Sequence, residues 1–310
     1  SNKAVRYLFF LFSLIYIVLF GVYNKILGFR VIVHSHSANY CLLFSYITKK
    51  TFSNIALHTF HSPINKSDFI LKNFTHKLDS IGYVSNHTKQ LYKKFDVPSN
   101  KSEFILPGSI DLNPFLNKKN YSEINKKKSI LFVGRISRDK GVLESIKALE
   151  KIKDHFSEYK IVGGYKTDEQ EDYFKEIKNY IKASGLSEKI FLCGSKYEAE
   201  LTNFYKKADV FLLPSIWDEP APMVIAEAFA ASLPIIAFNV GGLSERIDDN
   251  NNGMLVEPGD IKIFSECVME LINNNAKYIS LSKNAYNTAL NKLALKNMID
   301  DHLKFYEISN

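Results

Sequence analysis

Glu219 and Glu227 stand eight residues apart in the segment Trp217-Asp218-Glu219-Pro220-Ala221-Pro222-Met223-Val224-Ile225-Ala226-Glu227. Carboxylates accept hydrogen bonds from the paired hydroxyls of sugars and ribose. Pro222 suits the first position of a helix, where a missing N–H costs nothing. That places Glu219 on the loop entering a helix and Glu227 inside it. The unpaired backbone N–H groups between them form a site for an anion such as a diphosphate. One short segment therefore has the means to hold a phosphate, a sugar and a ribose. The spacing alone is near what chance supplies, and a solvated helix face has the same look. The neighbouring motifs decide between the two.

Gly134-Arg135-Ile136-Ser137-Arg138-Asp139-Lys140-Gly141 follows an apolar run and opens a predicted helix. Arg135 offers a planar fork to phosphate oxygens, and Lys140 a mobile point charge. Fixed cations stabilise the negative charge that develops on a departing diphosphate. Gly134, Gly164, Gly194 and Gly241-Gly242 fall at the ends of predicted strands. Open parallel sheets bind ligands there, and glycine lets the backbone approach closely, although each position also reads as an ordinary turn.

The elements that must carry these groups follow a repeating alternation. Predicted strands are Val31–Val33, Asn54–Leu57, Ser80–Val84 and Phe104–Leu106, then Ile130–Val133, Tyr159–Val162, Ile190–Leu192, Val210–Leu213, Pro234–Ala237 and Met254–Val256. Helices alternate with them, including Asn39–Lys49 and one capped by Ser85 that runs to Phe95. Short apolar strands between helices argue for parallel sheets covered on both faces. The polar stretch from Asp111 to Lys128 reads as an interdomain linker. The expected organisation is a partial N-terminal, acceptor-side domain over 1–125, a donor domain over 126–285, and a C-terminal helix over 286–310 that packs back toward the first domain.

The chain has 310 residues, 46% of them hydrophobic and 24% charged, which excludes a disordered protein. Its three cysteines, Cys41, Cys193 and Cys267, suggest neither a disulfide framework nor a zinc site and fit a reducing cytoplasm. Charge is uneven. Residues 1–125 carry 15 Lys and Arg against six Asp and Glu, whereas the remainder carries 25 against 27. A basic N-terminal part suits an anionic surface, and with no stacking motif in view a membrane fits better than nucleic acid, although a solvated basic face fits as well. Tyr7–Tyr23 is an apolar run of seventeen residues. Three readings stay open: a buried core helix, a helix lying on a membrane surface, or a membrane span.

The motifs occur in a fixed order: Gly-Arg-x4-Lys-Gly, Glu-x7-Glu, Gly241-Gly242-Leu243-Ser244-Glu245, and Asn252-Gly253 through Pro258-Gly259-Asp260. From Ile130 to Asp260 this order resembles retaining glycosyltransferase family four, enzymes of the GT-B fold. The resemblance implies an α/β protein of two Rossmann-like domains with parallel sheets, the N-terminal one incomplete. In that family the Arg and Lys hold the donor diphosphate, the first Glu contacts the transferred sugar and the second contacts the ribose. Those roles fall on Arg135, Lys140, Glu219 and Glu227. Gly134, Gly164, Met223 and Val224 complete the implied donor site. Gly194-Ser195-Lys196 resembles the loop against the nucleobase. In the first half, Val31 to Ser37 and Leu57 to Ser62 resemble two strand ends of the family. The second places His61 at the reaction centre, where a His can donate a hydrogen bond to a sugar hydroxyl or a phosphate oxygen. His34, His36, His58 and His61 also raise the question of a metal, but no ligating motif accompanies them, and the family works without one.

Departures are visible. The Gly-rich loop of the family's first βα unit is not found, so by comparison two or three strands of the N-terminal sheet are missing, together with most acceptor contacts. Ala221-Pro222 replaces the usual Phe-Gly, and Ser232 stands where glycine is common. The reading that follows is a retaining hexosyl-type transferase that needs neither cofactor nor metal. Its donor is a nucleotide-sugar, with a UDP-sugar expected before a GDP-sugar. Its acceptor is a glycan or lipid-linked, in bacterial surface polysaccharide assembly (lipopolysaccharide, O-antigen or capsule). The expected location is the cytoplasm, peripheral at the inner face of the plasma membrane. A partner or further segment that completes the N-terminal domain is also expected. The rivals are a non-catalytic nucleotide-sugar-binding fragment, half of a split transferase, and a sugar-nucleotide epimerase or phosphorylase of the same fold.

Overall fold

The computed structural model describes residues 17–37, 39–53, 55–99, 102–122 and 127–308. Ten residues of the apolar run, 7–16, lie outside them. The chain forms two compact units, Ser1–Pro107 with Ile299–Asn310, and Gly108–Met298.

In the first unit, a helix over 17–26 (α1) precedes β1 (Ile32–His36), α2 (Asn39–Thr51), β2 (Ile55–Phe60), α3 (Phe69–Phe74), β3 (Ser80–Tyr83), α4 (Asn86–Lys94) and β4 (Glu103–Ile105). The strands pair in chain order, all parallel. β2 and β3 are buried along their whole length, with His58, Thr59 and Ser80 as buried polar residues among the apolar ones. Successive side chains of β2 serve opposite faces: Ala56 and Phe60 join Leu42, Leu71, Ile81 and Tyr92, whereas Ile55 and Leu57 pack with Leu106 and Phe305. Ser85 caps α4 by accepting a hydrogen bond from the Thr88 amide, as its position predicts.

The second unit contains β5 (Ser129–Val133), α5 (Val142–Glu150), β6 (Glu158–Val162), α6 (Asp168–Ala183), β7 (Ile190–Leu192), α7 (Glu198–Lys207), β8 (Val210–Leu213), α8 (Val224–Ala230), β9 (Ile235–Phe238), β10 (Gly253–Val256), α9 (Ile261–Asn273) and α10 (Asn275–Lys292). The last helix, α11 (Leu295–Ile308), begins in this unit, and from Ile299 its residues belong to the first. The six strands are parallel in the order β10-β9-β8-β5-β6-β7. The chain runs outward from β5 to β7, returns to β8 on the other side of β5, and runs outward again. Strand order therefore reverses between β5 and β8, and ligands bind open α/β sheets at such a switch point.

Two expectations need correction. The stretch expected as a linker is built into the second unit. Leu112 and Phe115 enter its core, the Asn117 amide donates to Ala230 O, and the Tyr121 hydroxyl meets Ser282 Oγ at 2.8 Å. Lys128 is buried with Nζ 4.4 Å from the centre of the Tyr278 ring. Pro222 is not the first helical residue. α8 begins at Val224 with Met223 as its N-cap, because the first full helical bond runs from Glu227 N to Met223 O. Ser232, where the resembled family favours glycine, has φ +60. Its hydroxyl donates to Asn117 O, which gives a serine a use in a backbone conformation glycine adopts more readily. Among the described residues no helix is long and apolar enough to cross a membrane.

Asp209 fastens the former linker. Its carboxylate accepts from Lys119 Nζ at 2.9 Å and from the Ser129 amide and hydroxyl at 2.9 and 3.0 Å. Burial alone pushes its pKa up, but Lys119 and the Ser129 bonds overcome this and hold it below the ordinary carboxylate range. A depressed carboxyl contributes stability at neutral pH that is lost as pH falls through its folded value. Asp209→Ala strands a buried ammonium, and urea denaturation at pH 7 should show a loss of about 3–5 kcal/mol. In Asp209→Asn the part of the acid-induced loss seen below about pH 4 that belongs to this group should vanish.

Candidate active site

Three strand-end loops converge beside the switch point. The β5 loop runs from Gly134 to Gly141, the β8 loop from Pro214 to Met223, and the β9 loop carries Gly241 and Gly242. They are drawn together at close range. Gly141 has φ +64, and a Cβ there would lie 1.8 Å from Pro214 O. The Ile216 amide donates to Asp139 O at 3.0 Å. Gly241 has φ +59, and its Cβ would lie 2.3 Å from Glu219 O. The adjacent Gly242 amide donates to that same oxygen at 2.7 Å. Glu219 is thus held through its backbone by a loop from the next strand.

A cavity of about 230 Å³ opens between these loops, lined by Gly134, Arg135, Lys140, Glu219, Pro222 and Val224 among others. Glu219 is buried, its side chain 4% exposed. Oε1 accepts from both Lys140 Nζ and Ser215 Oγ. Among the described residues Oε2 takes no hydrogen bond, which leaves it for a ligand hydroxyl. Lys140 Nζ also lies 5.3 Å from the centre of the Trp217 ring, within reach of its π face. Arg135 is more exposed and meets Asp139 at 3.2 Å. Glu227 lies one helical turn beyond Val224 and accepts from the Tyr205 hydroxyl. Burial pushes the Glu227 pKa up, and the Tyr205 bond opposes the shift. The buried Tyr205 is itself pushed well above the ordinary phenol value, so it remains the donor.

The sequence-predicted groups are distributed as follows. Gly134, Arg135, Lys140, Glu219 and Val224 line the cavity, and Met223 and Glu227 cap and occupy the helix leading from it. Gly164 adjoins through its carbonyl, which accepts from the Ile136 amide at 2.9 Å. Lys196 lies on the β7 loop and turns to Glu200 at 3.6 Å. Ser215, Trp217 and Tyr205 were not anticipated. Ser215 follows a predicted strand end, a signal open to sequence reading. Tyr205 is 22 residues from its partner on another helix, and no local spacing announces it.

His61 belongs to the first unit, where five histidines gather. His36 Nδ1 and His61 Nε2 are 2.9 Å apart, His34 meets Thr59 Oγ1 and the Tyr306 hydroxyl at 2.7 and 3.0 Å, and His58 Nδ1 meets Ser35 Oγ at 2.7 Å. His302 completes the group, its ring centre 6.2 Å from that of His34. Burial, helped by neighbouring imidazoles, lowers His34 and His58 to about 3 and also lowers His36 and His61. These four rings are therefore neutral at pH 7. Among the described residues no three His, Cys, Asp or Glu side chains are arranged to hold a metal ion.

Residues 115–288 match the family model described as "Glycosyl transferases group 1", more than half of the chain. The chain belongs to the group 1 glycosyltransferases. The matched span contains all the strand-end loops just described. Among relatives in this family is the Escherichia coli UDP-Gal:alpha-D-GlcNAc-diphosphoundecaprenol alpha-1,3-galactosyltransferase, 27% identical over 63% of this chain and 51% of its own length. The chain spans about half the length of the curated relatives it matches. Among solved structures, a glycosyltransferase from Rickettsia africae superposes with a TM-score of 0.80 at 23% identity, covering 94% of this chain and 79% of that one. The Anabaena protein HepE, solved with UDP, superposes with a TM-score of 0.81 at 18% identity, covering 95% and 80%. The fold is the α/β arrangement of two Rossmann-like domains with parallel sheets found in GT-B glycosyltransferases.

The close packing at Gly241 carries a test. Gly241→Ala combines a left-handed backbone, about 1–2 kcal/mol for an L-residue, with a collision against Glu219. Gly185 has φ +71 with nothing within 4 Å of its Cβ position. Gly185→Ala should therefore cost only the backbone term in urea denaturation, and Gly241→Ala measurably more.

Proposed function

We propose that this group 1 glycosyltransferase moves a hexosyl unit from a UDP-sugar to a hydroxyl of a glycan or lipid-linked acceptor, with retention at the anomeric carbon, in bacterial surface polysaccharide assembly. The observation that carries the reading is the Lys140–Glu219 pair at the switch-point cavity. A cation suited to a diphosphate and a carboxylate suited to sugar hydroxyls face one space, with Arg135 at its rim. The names of the Escherichia coli relative and of the UDP complex of HepE support the donor and acceptor classes.

In this mechanism the donor diphosphate takes over Lys140 and Arg135, and Glu219 turns from Lys140 to the sugar hydroxyls. The C1–O bond to the diphosphate breaks as the acceptor oxygen bonds to C1 on the same face. The acceptor proton passes to the departing phosphate oxygen. Negative charge grows on the diphosphate, so cations fixed beforehand lower the barrier. Glu227 accepts from the ribose hydroxyls. The first unit's proposed contribution is His61, whose neutral imidazole donates to a sugar hydroxyl or a phosphate oxygen. The donor site needs no metal, since Lys140 and Arg135 supply the countercharge.

Glu219→Gln keeps the shape and removes the charge. Transfer from UDP-hexoses to a diphosphate-linked lipid glycan should fall about 10²–10³-fold, with UDP affinity nearly unchanged. Wild-type turnover in this variant would remove Glu219 from the mechanism. Phosphate-dependent cleavage or free UDP-sugar interconversion by the parent protein would replace transfer with another chemistry. Glu227 must be ionised to accept two hydroxyls well, and Tyr205 helps keep it so. In Tyr205→Phe the acid limb of UDP affinity should therefore move to higher pH, as calorimetric titration across pH 5–8 would show.

A further inference from the structure

The donor chemistry leaves one large side chain of the β8 loop unused: Trp217, the only tryptophan in the chain. Burial alternates along this loop. Ser215 and Glu219 are buried, Trp217 is half-buried, and Ile216 and Asp218 are exposed. This is the alternation of extended backbone, in which residues two apart share a side. Ser215, Trp217 and Glu219 therefore turn the same way, toward Lys140. Glu219 accepts from Lys140 Nζ, Ser215 donates to the same carboxylate oxygen, and the centre of the Trp217 ring lies 5.3 Å from Nζ. Backbone fixes the two side chains relative to each other. The Ile216 amide donates to Asp139 O at 3.0 Å, where Ile216 precedes Trp217 and Asp139 precedes Lys140.

Two observations assign the ring's use to its π face. First, the indole Nε1 is buried, and among the described residues it has no hydrogen-bond partner. A buried N–H left unpaired is costly, and a purely apolar side chain would fill the position without that cost. What tryptophan adds is the strongest aromatic attraction for a cation. Second, the Lys140 side chain is only 16% exposed, and among the described residues Glu219 is the one carboxylate it pairs with. When Glu219 turns to sugar hydroxyls, a shielded ammonium loses its countercharge. The ring is a partner that stays. It also suits an anionic ligand. A π face attracts the ammonium without bringing negative charge, so the N–H donors of Lys140 remain open to phosphate oxygens. A second carboxylate in its place would repel a diphosphate.

We propose that Trp217 is a positioning residue for Lys140. Its ring seats the ammonium at the cavity while Glu219 turns to the sugar, so that the donor diphosphate meets a cation already in place. The proposal rests on the donor-site reading for its ligand, but the contact of ring and ammonium is read with no ligand present.

Because Trp217 is the only indole, the protein's tryptophan fluorescence reports this contact directly. Without ligand, Lys140→Gln should shift the emission, since the charge beside the ring is gone while an amide remains to donate to Glu219. Unchanged emission overturns the proposal. The parent's emission should change saturably with UDP or inorganic pyrophosphate, and not with uridine, which carries no phosphate. Calorimetric titration with UDP then ranks the variants. Trp217→Phe keeps a weaker π face and should bind less tightly than the parent. Trp217→Leu is apolar without a π face and should lose about tenfold. In the Lys140→Gln background, adding Trp217→Leu should cost little further, because the two residues act as one unit. Equal losses in the two backgrounds are what a structural tryptophan would give and overturn the proposal, as does parent-like affinity in Trp217→Leu. Circular dichroism melting checks that each variant folds. Should Lys140→Gln fail to fold, equal affinities in Trp217→Phe and Trp217→Leu overturn the proposal. A parent that binds neither UDP nor pyrophosphate removes the donor reading, while the ligand-free emission still decides the seat of Lys140.

Discussion

The ion pair of Lys140 with Glu219 is the interaction around which the second unit is organised. A carboxylate this deeply buried is costly unless a cation and hydrogen bonds compensate it. Lys140 and Ser215 do so, and both act on one oxygen. The two partners come from loops after β5 and β8, strands adjacent in the sheet but separated by two βα units in the chain. Every feature that brings these loops together therefore serves the pair. Gly141 packs against Pro214, Asp139 O accepts from Ile216, and Gly241 with Gly242 grips the backbone of Glu219. A bulkier residue at either left-handed glycine would separate the charges. The same pair is what an anionic, polyhydroxylated ligand would exchange for its own contacts.

Strand order explains why these groups converge here. With β5 and β8 as neighbours at the reversal, the loops on their carboxyl ends lie side by side at the place where open sheets bind ligands. β6 and β9 flank it and add their glycine-bearing ends. The apolar residues of β8 and β9, buried throughout, fix the strands in register and so fix the heights from which their loops depart.

Much of this was legible from local chemistry. Strands buried on both faces write themselves as continuous apolar runs, which is why β8 and β9 stand out. Ser85 announces a cap by its side chain, whereas Arg135, Lys140, Glu219 and Glu227 draw attention through the order of the motifs that carry them rather than through spacing alone. What escaped the sequence is non-local. Residues 111–122 look like a polar linker because Leu112, Phe115 and Leu116 stand there among polar residues, while Lys119 finds Asp209 ninety residues away. Pro222 was misplaced because its propensity for a first turn is weaker than the loop that Glu219 and Gly241 impose on the preceding residues. Ser232 shows the reverse case, a side chain that compensates a left-handed backbone with a hydrogen bond its sequence neighbours do not reveal.

The two glutamates, alike in the sequence, are made chemically different by the fold. Glu219 has a cationic partner, and its open oxygen faces a cavity lined by Lys140 and Arg135. Among the described residues no cation pairs with Glu227: a neutral phenol donates to it, and burial raises its pKa. A carboxylate beside a lysine changes partner when another anion binds the lysine. A carboxylate held by a phenol is tuned instead to accept neutral donors without displacing a counterion. In the proposed function that division matches the ligand: the end that carries and loses charge meets Glu219 and Lys140, and the unreactive ribose meets Glu227. The eight-residue spacing thus measures the reach across one loop and one turn of helix, from an electrostatically switched site to an electrostatically quiet one.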